Sequence, residues 1–195
     1  MSERSRAFKP MTAEEIAQAT VGAVERLTKP IEIADYDPEW PVLFERERAR
    51  IEWALGDRAL MIEHVGSTSV PGLAAKPRID ILLVVQHSGN EPTYAPDLES
   101  AGYSLRIREP HWHEHRVFKG PDTDVNLHVF SPGCIEIDRM LGFRNWLRTH
   151  PKDRKLYEHT KRDLASQPWE FTQNYADAKT AVVEEIIARA GTGRE

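Results

Sequence analysis

The chain has 195 residues and a formal net charge of −5. That length suits one domain with a helical annex, and the acidic balance leaves no global basic field for nucleic acid. Hydrophobic residues make up 40%, yet no apolar run approaches the ~20 residues needed to span a bilayer.

The opening, MSERSRAFKP, is polar, has no apolar leader, and is expected to be unstructured to about residue 10. One cysteine, Cys134, allows no internal disulfide, so the expected compartment is the cytoplasm. Thr12 followed by Glu15 has the spacing of a capping box. Ile16, Thr20, Val24 and Leu27 follow at helical spacing and predict a short docking helix within an N-terminal segment 1–29. A brief strand is expected at Ile31 to Ala34, where the main domain, 30–190, begins.

A second helix is predicted from about Glu39 to Leu55, with Leu43, Phe44, Ile51, Ala54 and Leu55 on its apolar face and Gly56 as its stop. RALMIEHVGS reads as a strand running into a glycine-serine loop, and IDILLVV as the next strand. TYAPDLESAG predicts a modest helix closed by Gly102. YSLRI, HRVFKG and VNLHVF read as three short strands, the last two joined by a turn at Gly120 to Thr123. From Ser131 onward the pattern is helical: EIDRMLGFRNWLRTHP stopping before Pro151, then KDRKLYEHTKRDLA. The last is NYADAKTAVVEEIIARAG, with Val182, Val183, Ile186, Ile187 and Ala190 on one stripe. The order specifies a mixed α/β sheet followed by helices.

Chemistry concentrates in the loop and the strand after it. A Gly-Ser pair between a strand and a helix start suits an anion, because Gly66 lets the backbone approach closely and Ser67 adds a hydroxyl. Thr68 and Ser69 extend the same cradle, and Lys76 follows it. Asp80 stands 13 residues beyond Ser67, near the start of an apolar strand. A carboxylate there is costly unless it is paired or binds a cation. Mg²⁺ on phosphate ligands uses one or two carboxylates and several waters, which makes Asp80 a candidate ligand for Mg²⁺ or Mn²⁺. The bland alternative is that the glycines make turns and Asp80 pairs with Arg78 or Lys76. On the strand Val125 to Phe130, Asp124, Asn126 and His128 alternate with Val125, Leu127 and Val129. Asn126 and His128 are therefore candidates to complete a metal or base site with Asp80.

ADYDPEWP, HVGSTSVPGLAAKPRID, HRVFKG, NLHVF, FRNWLRTHP and YADAKT resemble the landmarks of the GrpB family, over roughly residues 30 to 190. More broadly, a Gly-Ser turn followed by an aspartate-bearing strand is similar to the nucleotidyltransferase superfamily of DNA polymerase beta. The resemblance implies an α/β (α+β) nucleotidyltransferase-like mixed sheet flanked by helices, and some relatives fused to dephospho-CoA kinase. The superfamily's second acid, two residues after the first, is Leu82 here. A two-metal site needs enough ligands to hold ions ~3.5–4 Å apart. Asp80, Asn126 and His128 suit one ion.

His111, His113 and His115 alternate and would share one side of an extended strand, but at ~3.3 Å per residue they spread over roughly 13 Å and do not meet one ion. Lys76, Arg78, Arg116 and Lys119 flank the loop or the central strands. If they converge, they form a clamp for a polyphosphate. The run DRKLYEHTKRD alternates sign and reads as a solvated helix face. Trp40, Trp112, Trp146 and Trp169 read as packing, since no basic stripe accompanies them. Cys134 lacks a context that would lower its pKa and has no expected redox role.

The function expected from this reading is a metal-dependent nucleotidyl or phosphoryl transferase acting on a small molecule or a protein. The alternative is an inactive module that binds a nucleotide or a CoA-related phosphate, or that supports a protein partner. A zinc hydrolase built on the histidine run is a weaker third reading.

Overall fold

The computed structural model describes residues 10–192. The expected unstructured start therefore lies, up to residue 9, outside the described residues.

Five strands form one mixed sheet: β1 (Met61–Val65), β2 (Ile79–Val84), β3 (Ser104–Glu109), β4 (His115–Lys119) and β5 (Val125–Phe130), in the spatial order β1-β2-β5-β4-β3. β2 pairs antiparallel with β1 and parallel with β5, and the other two pairings are antiparallel. The parallel register sets Asp80 beside Asn126 and Leu82 beside His128.

Side-chain alternation divides the sheet into two layers. Ile79, Ile81, Leu83, Val125, Leu127, Val129 and Phe118 face α2 (Glu39–Leu55) and α3 (Ala95–Ser100), packing on Trp40, Phe44, Ile51, Leu55 and Leu98. On the opposite face, Val65, Leu82, Val84 and Phe130 pack on Ile137 of α4 (Ile135–Thr149). α2 ends as expected at Gly56, which takes the left-handed φ of +54° that glycine adopts freely. The helices α5 (Pro151–Ala165), α6 (Thr172–Ala178) and α7 (Thr180–Thr192) complete the annex. Val182 and Ile186 of α7 bury against Leu147, Tyr157 and the loop residues Val70 and Leu73.

Several sequence expectations need correction. The capping box at Thr12 and Glu15 forms, but α1 (Ala13–Ala19) stops before Val24 and Leu27. Thr20 turns extended and bridges to Ile107, trading helix for an edge contact with β3. Val21 N donates to the Arg106 carbonyl at 2.8 Å, and Met11 N donates to Asp177 Oδ2 at 2.8 Å. The segment is thus a strap from the annex to the sheet edge. Ile31 to Ala34 contributes one bridge, Ala34 to Ala75, in place of a strand. The terminal helix breaks at Lys179 into α6 and α7. The histidine run is a turn, with His113 and Glu114 at positive φ, and only His115 enters β4. Cys134 does sit at a helix start, as the N-cap of α4, yet burial raises its thiol pKa and leaves it unactivated.

Candidate functional site

Asp80 stands where β1, β2 and the following loop meet. Val65 and Asp80 are register partners, and the next residue, Gly66, presses its backbone on the carboxylate. A Cβ at Gly66 would lie 2.5 Å from Asp80 Oδ2, and its φ of +69° with ψ of −171° belongs to a region open essentially to glycine alone. The glycine thus serves the aspartate directly. The Asp80 side chain, packed on its other sides, keeps 29% exposure through the mouth of a cleft of about 1500 Å³. That cleft is lined by Ser67, Lys76, Asp80, Asn126 and His128.

Around Asp80 the partners are well defined. Asn126 Nδ2 donates to Asp80 Oδ1 at 2.9 Å, and Lys119 Nζ donates to Asn126 Oδ1 at 2.7 Å. Asn126 therefore orients the carboxylate, with its oxygen turned to Lys119, and is not a ready metal ligand. His128 Nε2 lies 3.7 Å from Asp80 Oδ1. Burial works against a charged carboxylate there, but His128 and the Asn126 amide outweigh it and hold Asp80 below the usual range. Arg78 pairs with Asp124 at 2.7 Å, and its charge adds to those holding Asp80 low.

Ser67 faces the cleft, close to the Tyr157 hydroxyl. Burial, with the Asp80 charge adding to it, pushes that phenol up to about 12. Thr68 and Ser69 are buried and committed elsewhere: the Thr68 hydroxyl donates to the Arg78 carbonyl at 3.1 Å, and the Ser69 hydroxyl donates to the Gly66 carbonyl at 2.6 Å. Both hydroxyls shape the turn from within, and Thr68 also lines the cleft.

Lys76 and Lys119 reach the cleft, whereas Arg116 does not. Arg116 and Lys119 differ by three positions on β4, so the pleat sends them to opposite faces. Arg116, 4% exposed, instead binds Glu91 at 2.6 Å.

Two further lysines come from the annex. Lys161 of α5 is 2% exposed, donates to the Ala74 carbonyl, and lies over the Tyr157 ring at 4.8 Å. Lys179, at the break between α6 and α7, lies over Tyr175 at 4.6 Å. Both line the cleft. Burial, then the charge of Lys179, brings Lys161 down to about 7. Burial, then Arg78, brings Lys76 down to about 8. Lys119 and Lys179 are lowered too, chiefly by burial. The run that reads as a solvated face thus turns Tyr157, Lys161 and Ala165 inward, and their i, i+4 spacing was the available signal.

Neighbouring chemistry lies behind His128. Glu109 Oε2 is 2.8 Å from His115 Nδ1, and His115 Nε2 is 3.0 Å from His128 Nδ1. Burial lowers the His115 pKa to about 4, so its ring is neutral at pH 7.

A model of the family described as GrpB protein matches residues 30–189. The chain belongs to the GrpB family. A UPF0157 protein of Halalkalibacterium halodurans is 60% identical over 181 residues, covering 93% of each chain. The crystal structure of the conserved protein GrpB from Enterococcus faecalis superposes with a TM-score of 0.72 at 33% identity, over 82% of this chain and 96% of that one. A dephospho-CoA kinase of Mycolicibacterium paratuberculosis is 31% identical in an alignment of 159 positions that covers 68% of this chain and 39% of that one. The GrpB match begins after α1, so the strap lies outside it. Among the described residues no helix is long and apolar enough to cross a membrane.

Proposed function

We propose that this GrpB-family protein is a metal-dependent nucleotidyl or phosphoryl transferase acting on a small molecule or a protein. The observation that carries the reading is that Lys76, Lys119, Lys161 and Lys179 line the same cleft as Asp80. These partly or fully buried ammonium groups are each pulled below their usual pKa, chiefly by desolvation. Asp124 lies 3.6 Å from Lys119, and an incoming polyphosphate would add further counter-charge to the cluster as a whole. Lysine clamps of this kind also stabilise the charge that develops on a transferring phosphoryl group. Ser67 and the turn at Gly66 would hold the anion, and His128 presents Nε2 to the same space as a base or a ligand.

The donor set fits Mg²⁺ or Mn²⁺ in the nucleotide-associated mode. No group of three His, Cys, Asp or Glu that could hold an ion stands among the described residues. Asp80 and His128 would therefore bind an ion whose other positions belong to water and to the ligand's phosphates. Bound there, the ion would supply charge neutralisation on the phosphate oxygens.

Leu82 supports a second reading, a binding module without turnover for a nucleotide or CoA-related phosphate. It stands where a second acid would be needed and is fully buried against Val65, Val84 and Phe130. The zinc-hydrolase reading has no support, because the histidine run is broken by a turn.

The test is a thermal titration of the purified protein with ATP, GTP, CTP, UTP and pyrophosphate, with and without Mg²⁺ or Mn²⁺. A ligand at a hundredfold excess over Kd stabilises by about 2.7 kcal/mol, which is a Tm rise of roughly 5–10 °C at this size. The expected result is a rise with at least one of these ligands, larger with metal. Asp80→Asn should weaken it strongly and Ser67→Ala less. Pyrophosphate release on adding cell extract, abolished by Asp80→Asn, decides for the transferase. Binding without release decides for the module, and no shift with any phosphate ligand refutes both.

A further inference from the structure

The N-terminal strap lines the same cleft as Asp80 and the lysines. Ile16 and Ala19 of α1 border it, as do Ala23 and Val24 beyond the helix. The strap is fastened at three places. Near its start, Met11 N donates to Asp177 Oδ2 at 2.8 Å, and the Met11 carbonyl accepts from Asn174 Nδ2 at 3.1 Å. In its middle, Thr20 bridges to Ile107 and Val21 N donates to the Arg106 carbonyl at 2.8 Å. At its end, Leu27 N donates to the Glu170 carbonyl at 2.9 Å. The strap thus leaves the annex, meets the outer edge of β3 and returns to the annex. It closes the side of the cleft that an edge strand would otherwise leave open.

The sheet register gives the floor between the lysines and that wall. His128, Val117 and Ile107 are successive partners across β5, β4 and β3 and share one face. At ~4.8 Å per strand, Ile107 stands about 10 Å from His128. The floor therefore passes from Asp80, Asn126, Lys119 and His128 to the apolar Val117 and Ile107. Ile16 and Val117 are buried, while Val24 and Ile107 are half-buried. Phe171, at the start of α6, borders the same space. The charged groups at this end are engaged, Arg106 with Glu25 at 2.8 Å and Glu109 with His115 at 2.8 Å. An anion gains little there, whereas an apolar group gains by leaving water.

We propose that the strap ends the phosphate cleft in an apolar subsite, which takes the organic group of a small phosphate ester and shuts out polymeric ligands. This rests on the phosphate reading of the same cleft and narrows its ligand to a small molecule. Phosphates held among Lys76, Lys119, Lys161 and Lys179 leave the rest of the ligand about 10 Å of floor before Ile107 and the strap stop it. A single apolar group fits short of that wall. A polynucleotide or a protein segment continues past its phosphate and meets it. The subsite adds affinity by burying apolar surface, so it selects among ligands that carry the same phosphates.

Calorimetric titration of the full chain tests this with pyrophosphate, ADP and geranyl diphosphate, which share their phosphates and differ in the organic group. Physiological ionic strength, with and without Mg²⁺, screens non-specific attraction to the lysines. At least one of the two esters should bind about tenfold more tightly than pyrophosphate, the gain from burying roughly two methylene groups. Which ester gains shows whether the group is a nucleoside or an aliphatic chain. Ala19→Phe fills the subsite and should bring the affinity for the esters down to that for pyrophosphate, with folding checked by the Tm without ligand. Ala23→Phe makes the same change from the exposed part of the strap, so the outcome does not hang on one variant. Ile16→Ala removes part of the wall and should weaken the esters alone. A terminally phosphorylated oligonucleotide and a phosphopeptide should bind no more tightly than pyrophosphate. Equal affinities for pyrophosphate and both esters, an ester advantage that survives both phenylalanine variants, or tighter binding of either polymer would overturn the inference while leaving a phosphate site intact. No binding of any phosphate ligand refutes the phosphate reading as well. Ester selectivity that follows the strap, without pyrophosphate release from nucleotides in cell extract, supports the subsite and refutes only turnover.

Discussion

Replacing Lys161 by methionine isolates the cost of the lysine cluster. Lys161 is brought from the ordinary 10.5 to about 7, mainly by burial. At about 1.4 kcal/mol per pH unit, that difference corresponds to roughly 5 kcal/mol of opposition to folding at and below pH 7. Methionine has similar length and no charge, so Lys161→Met removes this opposition. It also leaves the Ala74 carbonyl without its donor, which costs about 1–3 kcal/mol, and removes the cation above Tyr157. The variant should therefore be at least as stable as the wild type at pH 7, and it should bind pyrophosphate or nucleotide at least tenfold more weakly. The pH dependence gives the sharper measurement. Between about 7 and 10.5 the unfolded chain holds the Lys161 proton and the folded chain does not, so stability rises with pH. Below about 7 both states hold it, and the opposition is fully present. Urea unfolding of both proteins at pH 7.5, 8.5 and 9.5 should show the wild type gaining about 2.7 kcal/mol on the variant across that interval. A difference independent of pH, or a variant several kcal/mol less stable at pH 7, would show that Lys161 is a structural cation and refute the reasoning.

Gly66→Ala should cost about 2–4 kcal/mol from the glycine-only backbone and the approach to Asp80. In an Asp80→Ala background the loss should shrink toward the backbone part, and equal losses in denaturant titrations of the two backgrounds would show no coupling. Glu91→Gln strips the counter-charge from Arg116 and Arg108. It should lower stability by about 2–4 kcal/mol with the ligand-induced Tm increment unchanged, and a lost increment would put Arg116 in the site after all. Because Lys161 and Lys76 lie near 7 and 8, phosphate binding at pH 8 should take up protons and weaken as pH rises. Calorimetry in buffers of different ionisation enthalpy checks this, and proton release would contradict it.

The sequence by itself determined the two layers of the sheet and the placing of Asp80. Alternation in β2 and β5 puts Ile79, Ile81, Leu127 and Val129 in one core and Asp80, Asn126 and His128 together on the other face, because a strand's side-chain period is fixed by its backbone. The same parity excludes Arg116 once Lys119 is placed, a deduction that strand alternation alone permits. Local hydrogen bonding made the Thr12 cap legible, but not the end of α1 at Ala19, where pairing with β3 outcompetes helix propensity. Tertiary structure alone decided the cation cluster. Lys161 and Lys179 lie 81 and 99 residues after Asp80, and only the packing of α5 and α7 on the loop, with α6 beside α5, brings their charges into the same cleft. It also decided what stands behind His128, since Glu109 and His115 reach it from two other strands. Periodicity records which way a side chain points. Which distant charges share one desolvated space depends on how the helices dock, and no local pattern carries that.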